Sequence, residues 1–230
     1  MARPSYPRAG EPRPAALPPE QRTVGQLVAE SVRIYGDNFW DVLPLGLAFA
    51  GLDLTSLGHS VAVQTLVLWA FGPLICAAFV RGCVIALGSS DAALRAWVVA
   101  LIVFLPFPIL VRLYALPGIV WFALFGLGVP AALVERLGVR AALARGLRLG
   151  RVDLVHAVGG IATLALVYGV SRFALLILLH TTGSQGQKVA GVLSDLVLSP
   201  LLFIGTALLY VDQAARSLEA PSAEPSARGR

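Results

Sequence analysis

The chain has 230 residues, of which 57% are hydrophobic and only 13% charged, with a formal net charge of +5. Its mean hydropathy is +0.78. Soluble domains carry about 25% charged residues, so half that complement leaves too little polar surface to coat a globule of this size. The composition excludes an ordinary water-soluble enzyme and points to a surface that faces lipid.

From the N-terminus, residues 1–22 hold six prolines and no apolar run, which reads as a disordered cytosolic tail and not as a signal peptide. Thr23 and Gln26 have capping-box spacing. Val24, Leu27, Val28, Ser31, Ile34 and Tyr35 then recur at intervals of three and four, the face of a helix. Gln26, Glu30, Arg33 and Asp37 fall on its other side. Residues 23–38 therefore read as an amphipathic helix in the membrane interface, with Phe39 and Trp40 as an aromatic anchor.

Runs of about 20 apolar residues mark membrane-spanning helices. Six candidates follow: Phe39–Leu57, Val61–Leu87, Ala96–Leu113, Leu116–Val134, Leu154–Leu179 and Val189–Val211. Pro106 and Pro108 lie inside the third, where lipid tolerates them only if neighbours re-satisfy the freed carbonyls. With a cytosolic N-terminus, six crossings place on the inside Arg3, Arg8, Arg13, Arg22, Arg33, Arg81, Arg95, Arg136, Arg140, Arg145, Arg148, Arg151, Arg216, Arg228 and Arg230, which is 15 of the 18 basic residues. Arg112 and Lys188 remain outside, and Arg172 lies within a span. Cytosolic retention of arginine and lysine favours this arrangement. Five crossings would expose either the N-terminus or the arginine-rich loop.

That loop, residues 135–153, forms a second amphipathic helix. At about 100° per residue, Arg140, Arg145, Arg148 and Arg151 share one sector, and Val139, Ala142, Leu143, Gly146, Leu147 and Leu149 share the other. Spans attached at both ends make the basic balance a topological signal and not a nucleic-acid footprint. The helix is expected on the inner leaflet with its apolar face down. Its arginines either enforce orientation alone or also attract anionic lipid, at about 1 kcal/mol each. Residues 212–230 read as a disordered cytosolic tail after a helical start.

Glu135 closes the run "VPAALV", and Arg145-Gly146-Leu147-Arg148-Leu149 follows ten residues later. With the entry "TVGQLVAESVRIYGDNFWDVLPLGL", this resembles the glycerophosphoryl diester phosphodiesterase membrane-domain family and related uncharacterised bacterial multi-pass proteins. Glu135 and Arg145 are the positions that match its motif. Gly146 and Leu147 depart from the serine and tryptophan usual there. The resemblance covers residues 23–211 and implies an all-helical six-span module, sometimes fused to a phosphodiesterase domain.

No catalytic, metal or cofactor motif stands out. His59, His156 and His180 are scattered, and HExxH, P-loop and GxSxG patterns are absent from the sequence. Cys76 and Cys83 lie about 10 Å apart along one helix, too far for a disulfide. Ala78, Gly82, Ala86 and Ser90 form a ladder of small residues suited to close helix approach or dimerisation. Asp41 and Arg81 lie near the inner boundary and can snorkel. Asp53, Arg172 and Asp195 lie deeper, where ionisable residues are functional candidates. Antiparallel pairing of the last two spans about a turn at Gly183–Ser184 sets Arg172 level with Asp195. Two functions fit. One is a non-enzymatic scaffold or accessory subunit of the bacterial plasma membrane, meeting lipid, a protein partner or its own copies. The other is a small carrier or exporter working through the buried charges.

Overall fold

The computed structural model describes residues 18–56 and 58–219, and among these every regular element is helical. The disordered-tail reading of residues 1–17 and 220–230 falls outside the described residues. Eleven α-helices run in chain order: α1 (Val24–Asp37), α2 (Phe39–Val42), α3 (Leu47–Ser56), α4 (Val61–Leu87), α5 (Ala93–Phe104), α6 (Phe107–Leu113), α7 (Ala115–Phe125), α8 (Gly128–Val134), α9 (Val139–Val152), α10 (Leu154–Leu178) and α11 (Gly183–Glu219). Among the described residues, five helical stretches are long and apolar enough to cross a membrane: Val61–Leu87, Ala93–Leu113, Ala115–Val134, Leu154–Leu178 and Gln185–Leu218.

The expected first span, Phe39–Leu57, is not one helix. It is divided into α2, a 3₁₀ turn over Leu43–Gly46, and α3. Pro44 starts the break, since it brings no N–H to a helical ladder. Gly46 completes it by lying so close to α11 that a Cβ there would come within 2.1 Å of the Leu196 carbonyl oxygen. Pro200, inside α11, removes the amide that would normally bond that carbonyl. The break in one element thus seats on the proline site of another.

The third and fourth spans break after Phe104 and Phe125, and tryptophan indoles bond carbonyls at the first of these breaks. The Trp69 indole donates to the Leu105 carbonyl at 3.0 Å, and the Trp121 indole donates to the Val103 carbonyl at 2.8 Å. Both carbonyls lie at the turn between α5 and α6, where the helical ladder is interrupted, so neighbouring side chains make the kink tolerable in an apolar setting. The Trp97 indole donates to the carbonyl of Pro73 within α4 at 3.0 Å, tying α5 to α4.

Long α11 is the centre of the bundle and packs against α1, α3, α4, α9 and α10. Its Leu201, Phe203, Ile204, Ala207, Leu208 and Leu209 are all buried. Of the expected small-residue ladder, Gly82 on α4 serves this packing, since a Cβ there would come within 2.7 Å of Phe203. It brings two helices of one molecule together.

The C-terminal segment begins as the expected helix, while the end of the N-terminal segment is ordered where a tail was expected. Residues 212–219 continue α11, and Pro19–Gln21 form a 3₁₀ turn before buried Arg22. The cause is a polar network at that end. Arg22 pairs with fully buried Asp212 at 2.7 Å, and Arg216 pairs with Asp153 while donating to the Arg22 carbonyl at 2.8 Å.

Candidate functional site

The capping box expected at Thr23 forms, and the apolar face of α1 packs against α10 and α11. Leu27 and Ser31 are fully buried on it, and Leu27 lies 3.2 Å from where a Cβ on Gly160 would sit. An amphipathic stripe demands burial but does not name the burying surface. Here it is protein, while Trp40 remains 79% exposed.

The same correction applies to α9. Its apolar face does not point to lipid: Ala142, Gly146 and Leu149 are buried against α7, α8 and α11. Two glycines allow the approach. A Cβ on Gly146 would fall 2.4 Å from the Gly128 nitrogen, and one on Gly150 would fall 2.8 Å from the Ala123 carbonyl oxygen. The chain therefore doubles back after α8, pairing residues 128 with 146 and 123 with 150. The turn at its apex includes Arg136 at φ 53, a left-handed conformation that an L side chain rarely adopts. Arg136 pairs there with Asp91.

The four arginines of the basic face separate into two kinds. Arg145 is half-buried, and its Nε donates to both carboxylate oxygens of Glu135, at 2.9 and 3.2 Å. Tyr210 on α11 donates its hydroxyl to the same carboxylate at 2.9 Å. Glu135 and Arg145, ten residues apart in sequence, thus form a structural clasp between the end of α8, α9 and α11. Arg140, Arg148 and Arg151 are exposed, and no acidic partner meets them among the described residues. They form a row of free cations on a helix held from behind.

The deep charges come together. Arg172 on α10 donates from one terminal nitrogen to both oxygens of Asp53 on α3, at 2.9 and 3.0 Å. Its other terminal nitrogen pairs with Asp195 on α11. Tyr168, one turn earlier on α10, donates to Asp195 and accepts from Arg172 at 3.3 Å. Asp195 is 2% exposed. Gly191 makes room for the cluster, since a Cβ there would come within 2.5 Å of an Asp53 oxygen. Three elements are pinned by one guanidinium, with two carboxylates and one phenol around it. Such a group can lock the helices or hold a proton on the surplus carboxylate.

Sequence reasoning identified Asp53, Arg172 and Asp195 but missed Tyr168, whose place one turn from Arg172 was the available signal. It also missed the polar network around Asp212. His156 Nε2 lies 3.5 Å from Asp212, and Gln213 donates to the Asp153 carbonyl at 2.9 Å. One Asp212 oxygen, the Gln213 carbonyl oxygen and Arg216 Nε are buried there without a hydrogen-bond partner. The clustering of Asp153 and His156 at the start of one span and of Asp212, Gln213 and Arg216 at the end of another was its trace in the sequence. Cys76 and Cys83 are both free and buried. No group of three or more metal-ligating side chains occurs among the described residues. No family model, curated protein or solved structure matches the chain.

Proposed function

We propose that the chain is a non-enzymatic scaffold or accessory subunit of the bacterial plasma membrane. It crosses six times with both ends in the cytosol and presents α9 to anionic lipid headgroups on the inner face. The observation that carries this reading is the division of labour on α9. Its apolar face is consumed inside the molecule, Arg145 is consumed by Glu135, and Arg140, Arg148 and Arg151 stay exposed without acids among the described residues. An ordered row of arginines attracts phosphate-bearing headgroups at about 1 kcal/mol each. Membership of the glycerophosphoryl diester phosphodiesterase membrane-domain family belongs to the same proposal, and the Glu135–Arg145 clasp supports it because the two motif positions meet.

Purification in mild detergent tests the reading. The variant Arg140→Gln/Arg148→Gln/Arg151→Gln is expected to retain several-fold less phosphatidylglycerol and cardiolipin than the native chain while melting at the same temperature. Salt should weaken retention by the native chain, because the contact lies near water. Equal retention by both proteins, at any salt, contradicts a lipid-binding role for α9.

A second reading rests on the triad of Asp53, Arg172 and Asp195. Its two carboxylates against one guanidinium suit a small carrier that binds a proton or a cationic solute. Proton-driven uptake into vesicles that is lost in Asp53→Asn, with the fold intact, would favour it over the scaffold.

A further inference from the structure

Between α3, α4, α5, α6, α7, α10 and α11 lies a cavity of about 140 Å³. Its walls carry six phenylalanines: Phe49, Phe79, Phe104, Phe107, Phe122 and Phe203. Their rings touch in an unbroken sequence, Phe104 to Phe107 at 6.0 Å, Phe107 to Phe122 at 6.1 Å, Phe122 to Phe79 at 5.5 Å, Phe79 to Phe203 at 5.7 Å and Phe203 to Phe49 at 6.0 Å. Rings that brace one another at these separations hold a wall open, where unbraced aliphatic chains would relax inward. Phe104 and Phe107, three residues apart on either side of the α5–α6 break, both face this space.

The lining offers water nothing. Thr206 is its one hydroxyl, and that hydroxyl already donates to the Leu202 carbonyl at 2.7 Å. Water needs two to four polar partners to settle in a buried space, and an apolar cavity of about 150 Å³ stays dry yet admits a molecule of benzene's size. The rim is half-buried at Phe49, Phe104, Phe107 and Ile119, and strongly exposed Leu105 and Leu166 flank the elements that bear it. A hydrocarbon chain beside the protein has a lateral way in.

We propose that this cavity is a binding site for hydrocarbon, and that its occupant is a segment of a lipid acyl chain from the surrounding bilayer. The site is independent of the basic helix: it recognises chain and not headgroup, through dispersion contacts with the six rings.

The test uses the full chain in vesicles of phosphatidylcholine, doped with a phosphatidylcholine bearing a photoactivatable diazirine at the end of one acyl chain. Labelled residues are then mapped by mass spectrometry. Adducts are expected on the inward residues Cys76, Phe79 and Val103 as well as on outward Leu105 and Leu166. In the filling variants Ala100→Leu and Ala165→Leu, the inward adducts should fall by roughly tenfold, the change that a loss of about 1.4 kcal/mol of binding produces. The outward adducts should be unchanged. Two variants are used so that one that fails to fold does not decide the outcome. Arg140→Gln/Arg148→Gln/Arg151→Gln should label inside as the native chain does, which separates this site from the role proposed for α9. Labelling confined to outward residues in the native chain overturns the proposal, as do inward adducts that both filled variants retain.

Discussion

Arg172 is the residue on which most depends, because it answers two carboxylates from two other helices. Removing one member of a buried ion pair costs about 3–5 kcal/mol, chiefly by stranding the other charge. Arg172→Leu strands two. Asp195→Asn is milder, because the guanidinium keeps Asp53 and the amide can still accept a hydrogen bond. Unfolding in detergent should therefore rank Arg172→Leu well below Asp195→Asn in stability. The triple change Arg172→Leu/Asp195→Leu/Asp53→Asn should recover much of the difference, since apolar replacement of a whole buried ionic cluster is often neutral. Equal stability of the two single variants would mean that Arg172 does not bridge both acids. The Arg172–Asp195 pair was legible from the hairpin register of the last two spans, and Asp53 only as a third charge at similar depth. The clasp at Glu135 was legible only as a motif, because ten residues of separation carry no periodicity that would pair its members.

At the scale of elements, two amphipathic helices were readable but their burying surfaces were not. Hydrophobic periodicity says which face of α1 and α9 is hidden, and a bilayer and a protein core satisfy it equally well. Glycine would have distinguished them. Gly146 and Gly150 stand on the apolar face of α9, where lipid needs no small residue and close backbone contact does. Gly146→Ala tests this directly. Its Cβ would enter the Gly128 backbone, and overpacking of that kind costs about 1–3 kcal/mol. Gly36→Ala, on α1 with nothing within 4 Å, should instead stabilise by up to about 1 kcal/mol through helix propensity. Melting temperatures of the two variants should move in opposite directions. If both rise, α9 does not pack on α8 as described.

For the whole molecule, length and hydropathy delivered an all-helical bundle with helices fit to cross a membrane. They could not deliver the broken first segment, because Pro44 and Gly46 acquire their meaning only from Leu196 and Pro200, some 150 residues away. Its pieces still reach far enough. Four α-helical residues, four 3₁₀ residues and ten α-helical residues rise about 29 Å at 1.5 and 2.0 Å per residue, close to the thickness of a hydrocarbon core. The central claim is that this segment crosses and that α9 consequently faces the cytosol, where its arginines meet headgroups. Membrane-impermeant thiol labelling of intact cells tests both halves at once, in a chain with Cys76 and Cys83 replaced by alanine and one new cysteine at Gly25, Ser60 or Gly138. Gly25 and Gly138 have open space for a side chain, and Ser60 is exposed. The account predicts labelling at Ser60→Cys alone, with Gly25→Cys and Gly138→Cys reacting only after the cells are opened. Labelling of Gly25→Cys and Ser60→Cys from the same side, or of Gly138→Cys from outside, would contradict it.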